Sequence, residues 1–111
     1  MNSETTPRDF SAAPVPGTLP LRRSVVVTNP QGLHMRPASA FAKRAREFAA
    51  EIKVIRAEQG VNGKSQLDLL MLAAEPGVEL VLEVVGADAE RALIELAELL
   101  ADPGTQDDDD A

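Results

Sequence analysis

Cysteine, tryptophan and tyrosine are absent, and histidine occurs once in 111 residues. Without cysteine there is no disulfide staple and no thiolate chemistry. A lone histidine also argues against a zinc site, which usually needs roughly three or four His, Cys or carboxylate ligands. Phe10, Phe41 and Phe48 are the aromatics, a poor basis for a stacked-ring nucleic-acid platform. No apolar run reaches the roughly 18 residues of a bilayer span. The N-terminus lacks a basic region followed by an apolar one and does not read as a secretion signal. What is left is enough chain for one small domain with one core.

The formal charge of −7 misrepresents the folded part. From Leu21 to Ala101, ten Lys and Arg face eleven Asp and Glu, and much of the excess acid lies beyond, at Asp102 and Asp107 to Asp110. Residues 1–20 hold Pro7, Pro14, Pro16 and Pro20 among small and polar residues, and read as an unstructured extension. Asp102-Pro103-Gly104 reads as a helix stop, and residues 102–111 as a self-repelling acidic tail. The expected folded domain is therefore 21–101.

Within it the elements follow closely. Ser24 to Thr28 is valine-rich and predicts a strand. Asn29-Pro30-Gln31-Gly32 has turn chemistry. Ala38, Phe41, Ala42, Ala45 and Phe48 recur at helical spacing and predict a helix from about Met35 to Phe48. Glu51 to Ala57 alternates as a strand, Glu58-Gln59-Gly60 reads as a hairpin turn, and Val61 to Lys64 as a short edge strand. A short helix is predicted from Ser65 to about Leu72, and a longer strand from Val78 to Val85. The last helix carries an apolar stripe of Ala89, Ala92, Leu93, Leu96, Leu99 and Leu100, with Asp88 as its expected N-cap. The order β-α-β-β-α-β-α fits an α+β fold, a four-stranded sheet with its helices gathered on one face.

The most informative run is Gly32-Leu33-His34-Met35-Arg36-Pro37-Ala38-Ser39. Pro37 belongs in a first helical turn, where its missing N–H costs nothing. His34 therefore stands just ahead of unpaired backbone N–H groups and the positive end of the helix dipole. An anion carried on the imidazole would find donors there, and Arg36 could add a charge-assisted grip. This arrangement suits a phosphorylated histidine better than a metal ligand. Gly32 fits either an unusual backbone angle or a plain loop. Arg36, Lys43, Arg44 and Arg46 occur with no acid among them until Glu47. Residues 36, 39, 43 and 46 share a helical face suited to an acidic partner, whereas Arg44 reads as a solvated helix residue.

These residues resemble the histidine-containing phosphocarrier protein (HPr) family of the bacterial phosphoenolpyruvate-dependent phosphotransferase system. The resemblance covers about Arg22 to Leu100. It rests on Gly32 to Ala38, on Asn62-Gly63-Lys64-Ser65, and on the Gly-Ala-Asp stretch before the last helix. It implies an HPr-like open-faced β-sandwich, with an antiparallel sheet and three helices. It implies a cytoplasmic carrier that accepts a phosphoryl group from Enzyme I and passes it to Enzyme IIA components of a sugar phosphotransferase system. His34 would be phosphorylated on Nδ1 and Arg36 would be the active-site arginine. The protein would act as co-substrate, not as a stand-alone enzyme, and as a monomer without cofactor, metal, nucleic acid or membrane insertion. The competing reading is a regulatory binding protein of a nitrogen- or carbon-control phosphorelay.

Ser65-Gln66-Leu67-Asp68 matches a capping box, which makes Ser65 a helix cap on local grounds. The resemblance adds that HPr kinase/phosphorylase modifies the matching serine in many relatives. The two roles are compatible, because a phosphate there still faces helix amides. Relatives commonly have glycine or lysine where Asp68 stands. The resemblance further places a partner-binding surface on the first two helices. Here that means Met35, Ser39, Gln66, Leu67 and Leu70, with Lys43 and Arg46 as its charged margin.

Overall fold

The computed structural model describes residues 19–102. The expected N-terminal extension and acidic tail lie almost wholly outside them. The elements are β1 (Leu21–Val26), α1 (Met35–Ala45), β2 (Glu51–Arg56), β3 (Gln59–Asn62), α2 (Gln66–Met71), β4 (Glu79–Val85) and α3 (Ala89–Ala101). The sheet order is β1-β4-β2-β3, antiparallel throughout.

Strand alternation sets the two faces. Val25, Ile52, Val54, Leu80, Leu82 and Val84 turn inward and are buried. They meet Phe41, Leu69, Leu72 and Leu96 from the helices in one continuous core. The opposite sheet face is wet. There Arg22 and Lys53 flank Glu83 across three neighbouring strands, with Arg22 Nε donating to Glu83 Oε2 at 2.8 Å. α1 packs against both α2 and α3, while α3 crosses β1 and β4. The result is an open-faced α+β sandwich.

Several boundaries differ from the sequence expectation. β1 begins at Leu21, not Ser24, because Arg22 and Arg23 are opposite Glu83 and Leu82 of β4. The hairpin turn is the pair Ala57-Glu58, not Glu58-Gln59-Gly60, and β3 runs from Gln59 to Asn62 instead of Val61 to Lys64. α1 stops at Ala45 although Phe48 remains buried. The amides of Glu47 and Phe48 donate to the carbonyls of Arg44 and Ala45, tightening the last turn. Arg44 is not simply solvated. Its Nε donates to Glu95 Oε1 at 2.8 Å, it pairs with Glu47, and its guanidinium lies 5.2 Å from the Phe48 ring centroid. Both carboxylates raise its pKa above the usual arginine range, Glu95 most. Arg91 stacks over the same ring at 5.2 Å and also meets Glu95. This cluster clamps α1 to α3.

Candidate functional site

The loop before α1 is built to present His34. Asn29 is buried, and its Oδ1 accepts from the Gln31 amide at 2.9 Å. Its carbonyl accepts from Gly32 N at 2.8 Å, closing the turn. Gly32 has φ +74°, and a Cβ there would lie 2.6 Å from the Ala74 carbonyl oxygen. A turn with this backbone and this close approach requires glycine, which decides between the two readings of the position. Leu33 is buried, and its amide donates to that same Ala74 oxygen at 2.8 Å. The chain is thus pinned on one side of His34 and enters α1 on the other.

His34 is the N-cap residue of α1, half-buried and extended in backbone, and its side chain makes no cap hydrogen bond. The helical ladder begins with Ala38 N donating to the His34 carbonyl at 3.0 Å. Met35 and Arg36 carry amides ahead of that first bond, and Pro37 has none to satisfy. Arg36 is exposed, with no ion pair among the described residues. An imidazole that makes no cap hydrogen bond, helix-end amides and an exposed, unpaired arginine therefore all belong to the first turn of α1. Such a set can receive and stabilise a phosphoryl group.

The run Asn62-Gly63-Lys64-Ser65 joins the C-terminal end of α1 to the start of α2. Gly63 N donates to Ile52 O at 2.8 Å, and a Cβ on Gly63 would meet Ile52 Cγ2 at 2.6 Å and Phe41 Cε1 at 3.2 Å. Lys64 Nζ donates to Phe48 O at 2.8 Å, and Arg46 Nη1 donates to Lys64 O at 3.0 Å. Ser65 caps α2, its Oγ accepting from Asp68 N at 3.2 Å. The expected reciprocal half of the capping box does not form. The Asp68 carboxylate instead accepts from Asn62 N at 3.4 Å, and Ser65 N donates to Asn62 O. Gln66 Nε2 reaches Met35 O at 3.4 Å, which brings the α2 start beside the α1 start.

Both the sequence and the fold are matched by known proteins. The family described as PTS HPr component phosphorylation site matches residues 21–102. The chain belongs to the HPr family. The phosphocarrier protein HPr of Neisseria meningitidis serogroup A is 39% identical over 80 residues, which cover 72% of this chain and 90% of that one. The phosphocarrier protein NPr of Shewanella violacea is 41% identical over 73 residues, covering 66% and 80% respectively. The crystal structure of a phosphocarrier protein HPr from Bacillus anthracis superposes with a TM-score of 0.71 at 33% identity, covering 73% of this chain and 96% of that one. The open-faced sandwich is accordingly the HPr fold, and the chain is an HPr-family phosphocarrier of the phosphotransferase system.

The surface expected from the HPr resemblance divides into two parts. On the α2 side, Met35 and Leu67 are 63% and 73% exposed, while Leu70 is half-buried against the core. Met71 is also exposed, at 69%, and lines a hollow with Asp68, Val61 and Lys53 toward the open sheet face. The helix buries Leu69, with Leu72 just beyond it. On the α3 side, Arg36, Ser39 and Lys43 line a groove with Glu98 and Leu99. Arg46 leaves this row and turns to Lys64, on the Ser65 side. Among the described residues no cluster of His, Cys, Asp or Glu could hold a metal ion. No helix among them is long and apolar enough to cross a membrane.

Proposed function

We propose that His34 accepts a phosphoryl group from Enzyme I and passes it to Enzyme IIA components of a sugar phosphotransferase system. The single observation that supports this most is the free imidazole at the N-cap of α1, with Arg36 exposed two residues on. In the forward step the lone pair of His34 Nδ1 attacks phosphorus. The bond from phosphorus to the donor breaks, and its electron pair leaves with the donor. The step needs a neutral imidazole and in-line approach. Arg36 and the amides of Met35 and Arg36 offset the charge on the transferring group, and the partner protein supplies the remaining stabilisation. The carrier thus works in the cytoplasm as a protein co-substrate, docking through Met35, Gln66, Leu67 and Leu70, with Ser39, Lys43 and Arg46 at the margin. Ser65 is the regulatory site on the same surface, open to an HPr kinase/phosphorylase.

The test is incubation with cognate Enzyme I and phosphoenolpyruvate. Acid-labile label is expected on the wild-type chain and absent from His34→Ala. Equal labelling of the two would overturn the assignment. Onward transfer to a sugar-specific IIA domain separates uptake from phosphorelay control.

A further inference from the structure

The end of α3 is tied to the loop that carries His34. The Thr28 hydroxyl donates to the Ala101 carbonyl at 2.6 Å. α3 runs antiparallel to α1, since Leu99 shares a groove with Arg36 and Ser39 while Arg91 and Glu95 meet Phe48 and Arg44. Asp102, the last described residue, therefore stands at the end of α3 nearer the N-terminal half of α1.

The charges on that face are unevenly committed. Glu47 and Glu95 hold Arg44, and Arg91 also holds Glu95, so this cluster balances itself. Arg36 and Lys43 are exposed and have no ion pair among the described residues. Arg46 spends one N–H on a neutral carbonyl and keeps its charge. Among the residues lining the groove, Glu98 is the acid that Arg44 does not engage, and it shares the groove with two unpaired cations, Arg36 and Lys43. Five residues beyond Asp102 the sequence reads Asp107-Asp108-Asp109-Asp110. Five residues span at most about 17 Å, and Arg36 to Lys43 is roughly 10 Å along a helix. From a start beside Arg36, that length is enough to extend along Arg36 and Lys43.

We infer that Asp107 to Asp110 fold back onto the Arg36–Ser39–Lys43 face of α1 and act as an internal competitor for anionic partners at the phosphoryl site. The segment lies outside the family match, which stops at residue 102, so this is a property of the present chain. Docking stands independently of the carrier reading; the slower phosphoryl transfer that would result rests on it.

The absence of cysteine makes the test direct. A nitroxide is attached to Ala111→Cys in the full-length protein, and amide signals are followed by NMR. At low salt, Ser39, Ala40 and Lys43 should broaden while Gly60 and Val61, on the far edge strand, should not. The broadening should vanish near 1 M salt, where the screening length is about 3 Å. It should also vanish when all four of Asp107, Asp108, Asp109 and Asp110 are replaced by Asn. Uniform or absent broadening, or broadening that survives neutralisation, would overturn the proposal. So would broadening seen only between spin-labelled and isotope-labelled copies in a mixture, which would make the occupant a second molecule. In the kinetic arm, neutralising the tail should raise the low-salt rate of His34 labelling about threefold, the scale of one or two exposed ion pairs. Failure of His34 to be labelled at all would reject the carrier reading and leave the spin-label result standing.

Discussion

Asp88 accepts the backbone N–H of Ala49 at 2.9 Å and so binds the start of α3 to the segment that follows α1. Its other oxygen accepts from Ala50 at 3.0 Å. Asp88 is the N-cap residue of α3 by position, as expected, but makes no side-chain cap bond to that helix. The two amides lie just before β2, in a turn that has no helical ladder of its own.

A pH dependence follows from this contact. The Ala49 N–H, then that of Ala50, holds the Asp88 carboxyl below the usual aspartate range, with partial burial opposing them. Its folded pKa is depressed, so the stabilisation is complete above the unfolded value and is lost as pH falls through the folded one. Asp88→Asn should be less stable than wild type at neutral pH. The gap should close as pH drops below the ordinary value of 3.8. Urea melts between neutral and strongly acid pH check this; parallel curves would show that Asp88 plays no part in the acid limb.

Gly63 offers a test of packing. A Cβ there would press on Ile52 and on the Phe41 ring, both in the core, Phe41 on α1 itself. Gly63→Ala should destabilise by about 1–3 kcal/mol, the usual range for overpacking. Gly60→Ala, whose nearest neighbour is the flexible Lys53 side chain at 3.0 Å, should cost less. Equal denaturation midpoints for the two variants would contradict the close approach.

The elements and their buried faces were legible because both depend on local periodicity. Ala38, Phe41, Ala42 and Ala45 recur at helical spacing, and Leu80, Leu82 and Val84 alternate; all are buried. What local pattern could not carry was pairing between distant segments. β1 extends back to Leu21 because β4 is there to bond it. Arg44 reads as solvated until Glu95, fifty-one residues away, is brought beside it. The capping box opened for the same reason: Asp68 met the amide of Asn62 across a loop. Around the candidate site, the place of His34 at the head of α1 was readable from Pro37 and the apolar spacing. The need for glycine at position 32 was not, since the Ala74 carbonyl that enforces it comes from a separate loop.

Arg36 should matter to rate and not to stability. It is exposed on the first turn of α1 and has no ion pair among the described residues. Arg36→Ala should slow single-turnover labelling of His34 by about tenfold or more, with an unchanged denaturation midpoint. Losing a charge-assisted hydrogen bond of about 1.5–3 kcal/mol gives that scale. Arg36→Lys should recover part of the rate, since it keeps the charge and loses the planar fork. Full activity in Arg36→Ala would mean that the helix amides and the partner suffice.

Ser65 is a helix cap, and the regulatory role proposed for it separates from the cap experimentally. Its Oγ accepts the Asp68 amide, so Ser65→Ala should cost about 0.5–2 kcal/mol of stability as a lost cap, while His34 is labelled at the normal rate. A phosphate on Ser65 adds about −1.5 to −2 charges but can still receive the α2 amides, so little unfolding is expected. Its effect should fall on docking. Gln66, the next residue, reaches the Met35 carbonyl, and Leu67 and Met71 stand exposed on the same helix. An acidic partner approaching His34 over this surface would meet the new charge together with Asp68, whose carboxylate already faces Asn62. Ser65→Asp should imitate the effect only in part, having less charge and fewer acceptor oxygens. The measurement is the rate of His34 labelling by Enzyme I across carrier concentrations, for unmodified and Ser65-phosphorylated protein. A raised KM with a largely preserved maximal rate is expected, because the charge weakens docking and leaves the imidazole, Arg36 and the α1 amides in place. Identical rates throughout would reduce Ser65 to a helix cap.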